Sequence, residues 1–412
     1  MAMKRNILFC AIAFMFMSSV LLFQAGVYNI ETVTVAKKSD LEQRILGQMP
    51  DFHLKDFLSG NFQDYFEAYI SDSFPNRNRA IMTNALIQRK TIEIANCIFG
   101  FDSYPTYFDS YITYSPKFGI LFPTPSKRGT GKYSESNIDL CSDFFHAIAA
   151  AGKDVSWYYL LPDRATITDC SPVMDLVTNP ADREYCAEML KRILPKECKL
   201  IDLSYSDTSE YGKYFFKTDH HYQIQGAIDA YNAICQEIGI APVDFGEIYT
   251  AYDGEFYGSS ARSGKIDEIA DVVQDVRYQS SNLSVTVDGK TKPMKDIDKS
   301  FSNDSDSYSK STRYENVYAA WFHHDYGLIV YENPEAPAED ALLLIGDSFD
   351  NSLAKFFAEN YRYVYELDHR HYQDGKSIIA FLEEHENLKN AVFVLSLEAM
   401  PEVLENCNDI LD

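Results

Sequence analysis

The stretch Ala341–Phe349, ALLLIGDSF, decides the fold. Five consecutive apolar residues followed by Gly346-Asp347-Ser348 read as a strand buried on both faces that ends in a sharp turn into a helix. A serine on such a turn stands at the carboxyl edge of a sheet, where backbone N–H groups at the helix start can receive an oxyanion. The same residues also suit a plain helix cap with Asp347 or Ser348 at the N-cap, so the flanking sequence has to separate the two readings.

Outward from this stretch the pattern repeats. Continuous apolar or β-rich runs at 155–161 (VSWYYLL, stopped by Pro162-Asp163), 199–203 (KLIDL), 361–367 (YRYVYEL) and 391–397 (AVFVLSL) predict strands. Amphipathic stretches near 137–151, 182–193, 222–238, 351–360 and 376–385 predict helices, two of them closed by Gly152 and Gly239. Strands alternating with helices predict an α/β fold: a parallel sheet joined by right-handed crossovers, flanked by helices on both faces, with ligands at the carboxyl ends of its strands. Between about 247 and 335 the periodicity gives way to a polar, Ser- and Asp-rich region with pieces such as LSVTV at 283–287, which predicts inserted loops and a small antiparallel element. Residues 31–95 read as a helical stalk: LEQRIL near Leu41, then two helices between Phe62 and Asn96 with a turn at Pro75-Asn76. The predicted organisation is 1–30, 31–95, and a main domain 96–412 containing the insertion.

The N-terminus carries Lys4 and Arg5 ahead of an apolar run from Ile7 to Phe23. Phe23-Gln24-Ala25 puts a bulky residue where a signal-peptide cleavage site wants a small one, so an uncleaved signal anchor is expected, with the chain after about residue 31 extracytoplasmic. Cleavage would instead release a secreted protein. The 412 residues hold 61 acidic against 37 basic side chains, a net charge of −24, which excludes a nucleic-acid binder for want of a basic face. The same charge disfavours a polyanionic ligand unless a basic groove is hidden locally. Setting aside Cys10 in the apolar run leaves seven cysteines, an odd number, and none has CxxC spacing; buried thiols or one staple among Cys170, Cys186 and Cys198 are expected. His220-His221, His323-His324-Asp325 and His369/His371 match no strong metal signature, and Asp304/Asp306 lack the glycine and glutamate of an EF-hand, so no metal and no cofactor are expected.

A second motif, KTDHHY at 217–222, precedes the helix near Gln223. Alternate residues of an extended segment point the same way, so Asp219 is placed to hold the Nδ1–H of His221 and leave Nε2 free as a base; His220 then faces elsewhere and reads as a packed or hydrogen-bonded supporting histidine.

TDHHY followed by Gly226-Ala227, together with GDSFDNS at 346–352, resembles the DHHW family of bacterial proteins, which is related to the alginate O-acetyltransferases within the SGNH hydrolase-like superfamily. SGNF and SDSFPNR before residue 77, LPDR at 161–164, EFYGS at 255–259 and ELDHRHY at 366–372 extend the similarity over most of residues 40–400. Tyr222 stands where the family usually has Trp. The resemblance implies an SGNH hydrolase-like, flavodoxin-like sheet with a circularly permuted motif order, Asp and His preceding Ser. It implies Ser348 as nucleophile, His221 as base and Asp219 as its orienting acid. The Ser348 N–H is the expected oxyanion donor, with Asn351, Tyr257 and Gly258 as weaker candidates. Arg370 is expected to orient an acceptor or to pair with Asp368.

The expected activity is transfer of an acetyl group, through an acyl-serine, to a secreted or cell-wall polysaccharide. No acetyl-CoA pool exists outside the membrane, so the donor is expected to come through a membrane partner, and the resemblance implies a membrane-bound O-acyltransferase in that role. With water as acceptor the same centre is a carbohydrate esterase. A glycan-binding scaffold whose Ser348 and His221 never meet is the non-enzymatic alternative. The net charge favours a neutral or amino-sugar polymer. Tyr222, Tyr257, Tyr365 and Tyr372, drawn from an excess of 29 tyrosines, are expected to stack on its rings.

Overall fold

The computed structural model describes Ser39 and residues 41–398, apart from 278, 281, 288, 294–312, 315–316, 319–324 and 373–376. The apolar run of residues 7–23 and the histidines 323–324 lie outside the described residues. Among those described, no helix is long and apolar enough to cross a membrane. The chain forms two compact units, one reaching to Asn84 and one from Ala85 onward.

In the first unit LEQRIL is not helical, contrary to expectation. Residues 44–53 form no helix, and an ionic clasp holds the segment: Arg44 pairs bidentately with Asp72, Arg77 with Glu42, and the Gly47 N–H donates to Asp72 at 2.7 Å. A Cβ at Gly47 would meet the Ala68–Tyr69 backbone at about 3.0 Å, so this close approach depends on glycine. The break near Pro75-Asn76 is present, with Asn76 at φ 55°, and Gly60 at φ 92° makes a second one, giving helices Leu54–Ser59, Asn61–Asp72 and Arg77–Phe99 where two were expected.

The second unit begins with a small antiparallel sheet that the sequence did not announce, β1 (Tyr104–Pro105), β2 (Ile112–Ser115) and β3 (Ile120–Pro123). The α/β pattern follows. Helix Glu135–Ala151 leads to β4 (Ser156–Leu161), and helix Arg183–Ile193 to β5 (Lys199–Asp202). Helix Ile224–Ile238 ends at Gly239, φ 86°. The region expected as an insertion contains β6 (Tyr249–Phe256) paired with β7 (Asp271–Asp275), then β8 (Ser284–Val287), β9 (Lys290–Pro293) and β10 (Leu328–Glu332). The chain returns with β11 (Ala338–Gly346), β12 (Tyr361–Asp368), helix Ile378–Glu384 and β13 (Leu388–Val394).

The main sheet has eight strands in the order β5-β4-β13-β11-β12-β10-β8-β9. The first five are parallel, and β10, β8 and β9 extend the sheet as an antiparallel edge. Part of the inserted region is thus sheet edge rather than a separate element.

The pleat sends alternate residues of β11 to opposite cores. Leu342 and Leu344 pack with helix Ile224–Ile238, while Ala341, Leu343 and Ile345 pack with helices Glu135–Ala151 and Arg183–Ile193. This central strand delivers Gly346-Asp347-Ser348 to the carboxyl edge. Cys97, Cys141, Cys170, Cys186, Cys198 and Cys235 are all free thiols, so Cys170, Cys186 and Cys198 form no staple.

Candidate active site

The turn after β11 is built by Asp347. Its Oδ1 accepts the Phe349 N–H at 3.1 Å and its Oδ2 the Ser396 N–H at 2.7 Å, while its carbonyl takes the Asp350 N–H at 2.9 Å. Gly346 is required here, because a Cβ would fall 1.9 Å from Asp350 Oδ2. Asp350 is buried, and that burial, with Glu366, Asp368 and Asp347 nearby, lifts its carboxyl well above the ordinary range. The construction leaves the Ser348 side chain on the wall of a cavity of about 350 Å³. Its N–H has no acceptor among the described residues.

Asp219 and His221 sit on a turn held from behind. Phe216 N–H donates to the His221 carbonyl at 3.1 Å, and fully buried Thr218 donates its N–H and hydroxyl to Asp271 Oδ2 at 2.8 and 2.6 Å. Asp219 Oδ1 accepts the His221 Nδ1–H at 2.6 Å and its backbone N–H at 3.1 Å; Oδ2 accepts the Ser259 N–H at 2.6 Å. His221 Nε2 lies 2.7 Å from Ser348 Oγ. Burial opposes charge on Asp219, but the two imidazoles, the His221 hydrogen bond and the Ser259 amide prevail and hold its carboxyl well below the usual range. Asp219 is therefore a fixed anion against Nδ1, and Nε2 is left to accept the serine proton. This arrangement can turn a hydroxyl into a nucleophile beside one free backbone donor.

Tyr318 completes the support. Its ring stacks on His221 with centroids 3.8 Å apart and planes 8° apart, and its hydroxyl donates to the Ser348 carbonyl at 2.9 Å. It comes from the inserted region, where no pattern in the sequence marked it.

The other expected residues lie elsewhere. Tyr222 is 1% exposed within the core, so it cannot stack on a ligand; its side chain fills space under Phe349. Tyr257, Tyr365 and Tyr372 are also buried and do not line the cavity. Asn351 donates to Asp325 at 3.0 Å, the Gly258 N–H to Thr218 Oγ1 at 3.1 Å, and the Tyr257 hydroxyl to Glu255 at 2.8 Å; none of the three faces the cavity. Gly258 acts by its size instead: a Cβ there would lie 2.3 Å from Asp219 Cβ. Arg370 does line the cavity while paired to Asp368 at 2.6 Å and Asp325 at 3.1 Å.

Two cavity residues come from motifs to which no role was attached. Arg164, the last residue of LPDR, lies over the Phe349 ring and pairs with Glu398 at 2.9 Å. Its place just after a buried parallel strand was the available signal. Ser259, closing EFYGS, bonds His220 Nδ1 at 2.8 Å. Lys132 is an exposed cation on the same cavity. The local charge of the site is therefore mixed, unlike the acidic chain around it.

Two groups of potential metal ligands occur among the described residues, Asp219/His220/His221 and Asp325/Asp368/His371. The first is committed to the Ser348 relay, and the second has Arg370 inserted between its carboxylates.

A family profile described as DHHW protein matches residues 151–367, more than half of the chain. No curated protein matches. Among solved structures, a DHHW family protein from Eubacterium siraeum is similar at 14% identity and TM-score 0.56, over 74% of this chain and 97% of that one. Bacillus cereus PatB1 is similar at 19% identity and TM-score 0.53, over 74% of this chain and 99% of that one. The form of PatB1 carrying a sulfonyl adduct is also 19% identical, at TM-score 0.52, over 68% and 94% of the two chains. At these identities the likeness concerns the fold, while the profile match concerns kinship: the chain belongs to the DHHW family.

Proposed function

We propose that the protein is a serine-dependent O-acyltransferase that acetylates a polysaccharide outside the cytoplasm. The observation that carries this reading is the unbroken line from Asp219 through His221 to Ser348, with contacts of 2.6 and 2.7 Å, opening on a cavity large enough for a sugar and an acyl group. Ser348 Oγ attacks the donor carbonyl as His221 Nε2 takes its proton, and the Ser348 N–H receives the oxyanion. The leaving group departs with that proton, leaving an acyl-serine. A sugar hydroxyl then repeats the sequence in reverse. The 2.7 Å contact removes the geometric ground for a scaffold whose serine and histidine never meet.

Asp219 and His221 precede Ser348 in the chain, the permuted order expected from the family, and geometry rather than order sets the chemistry. The apolar run of residues 7–23 is read as a membrane anchor that keeps the site close to a membrane-bound O-acyltransferase serving as donor. The esterase reading differs only in using water as the acceptor.

The test is direct. A sulfonyl fluoride or 4-nitrophenyl acetate should add one group to Ser348, detected by intact mass and peptide mapping, and Ser348→Ala should abolish both the adduct and turnover. Retained activity in a folded Ser348→Ala variant refutes the proposal. Acetyl passed to an oligosaccharide faster than to water separates transferase from esterase.

A further inference from the structure

His220 is hydrogen-bonded, as one of its two expected readings has it, but it does not face away from the site. It lines the same cavity as Ser348, its side chain is 44% exposed, and its ring stands 3.8 Å from that of His221. Its Nδ1 lies 2.8 Å from Ser259 Oγ and 3.5 Å from Asp219 Oδ1. A carboxylate on that side favours the tautomer with the proton on Nδ1, which then donates to Ser259. Ser259 is itself tied to the same acid, its N–H donating to Asp219 Oδ2 at 2.6 Å. One carboxylate thus organises two imidazoles. His221 is turned toward Ser348, and His220 is left with an Nε2 lone pair that bonds nothing among the described residues.

Burial in the cavity wall, then His221 beside it and the positive charges of Arg164 and Arg262, lower the basicity of His220, although Asp219 opposes them. These influences favour the neutral form of the ring, which accepts a hydrogen bond at Nε2.

Resting on the acyl-transfer reading, we infer that His220, oriented by Ser259, forms a hydroxyl-binding subsite beside Ser348 that selects acceptors carrying a second hydroxyl next to the one acylated. Adjacent hydroxyls of a polyol are a hydrogen-bond length apart, which suits two side-by-side imidazoles. In the transfer step the reacting hydroxyl gives its proton to His221 Nε2 and its oxygen bonds the acyl carbon. Ser348 Oγ leaves and takes that proton back. The neighbouring hydroxyl donates to His220 Nε2 throughout, while Ser259 holds the ring from its Nδ1 side. Water offers no second hydroxyl, so the subsite also biases the acyl-enzyme toward transfer over hydrolysis.

The test uses the full-length protein, 4-nitrophenyl acetate as donor, and trans-1,2-cyclohexanediol or cyclohexanol as acceptor, reading the ratio of acetylated alcohol to acetate. The wild type should favour the diol by about tenfold, the worth of one net hydrogen bond. His220→Asn, whose amide sits near the Nδ1 position, should lose that preference, whereas His220→Gln, whose amide reaches toward Nε2, should keep part of it. Thermal melting monitors folding of both variants. A wild type without diol preference, or an Asn variant that retains it, overturns the subsite alone. A chain that never acylates Ser348 overturns the acyl-transfer reading and the subsite together.

Discussion

Replacing Asp219 with Asn removes one charge at almost constant volume, and the geometry sets the size of the effect. Oδ1 takes two N–H groups from His221, at 2.6 and 3.1 Å, and Oδ2 takes one from Ser259 at 2.6 Å. A carboxylamide has a single oxygen. Placed at Oδ1, it leaves its NH2 against the Ser259 N–H. Placed at Oδ2, it turns its NH2 toward His221, making Nδ1 an acceptor and putting the proton on Nε2, where it blocks transfer from Ser348. In both orientations the imidazolium formed during attack loses its counter-charge. At about 4 Å and an effective dielectric of about 20 that attraction is about 4 kcal/mol. The loss corresponds to about a thousandfold in rate. The assay is single-turnover acylation of Ser348 by 4-nitrophenyl acetate followed by intact mass, with melting curves to establish that the variant is folded. A folded Asp219→Asn protein that acylates within about tenfold of wild type refutes the assignment of Asp219 as the orienting anion.

Tyr318→Leu removes the ring stacked on His221 and should slow acylation by about tenfold, while Tyr318→Phe keeps the stack and should cost less; equal losses in the two would show that the hydroxyl, not the stack, matters. Gly258→Ala inserts a methyl group 2.3 Å from Asp219 Cβ. Overpacking of this kind costs about 1–3 kcal/mol, so both the melting temperature and the acylation rate should fall, and a variant matching wild type in both would contradict the packing described. In the first unit, Asp72 is held down to about 2, chiefly by its hydrogen bond with Arg44 and also by the Gly47 amide and Arg77, against some burial. A depressed carboxyl stabilises the fold above its unfolded value near 4, and that contribution is lost as pH falls toward about 2. With half-exposed Arg44 screened by solvent, it amounts to about 1–2 kcal/mol. Urea titrations of wild type and Asp72→Asn should therefore converge as pH drops from 6 toward about 2; a gap independent of pH would show that the pair carries no titrating stability.

The strand ALLLI was legible because a strand buried on both faces must be apolar at every position, and the strands read at 155–161 and 391–397 in the same sheet follow the same rule. The helix over 351–360 shrank to Ala354–Phe357 because the chain first spends residues 347–353 on turns that hold Ser348. LEQRIL has a helix-like composition, yet Asp72, 28 residues from Arg44, decides its conformation. Local propensity carries no information about such a partner.

The sequence by itself determined the alternating architecture and the two separate motifs, an Asp-x-His turn and a Ser turn, because periodicity and short-range spacing are local properties of the chain; their partnership was an expectation from the family resemblance. Only the tertiary structure decided which side chains share the cavity. Tyr222, adjacent to His221, is buried in the core, while Tyr318, 97 positions from His221 in the numbering, lies flat on its ring. Tyr318 reaches the site from the inserted region, stacking on His221 and donating to the Ser348 carbonyl. Local alternation does not settle which way each ring of this turn faces, since His220 and His221 stand side by side while Tyr222 turns into the core; packing against distant residues does.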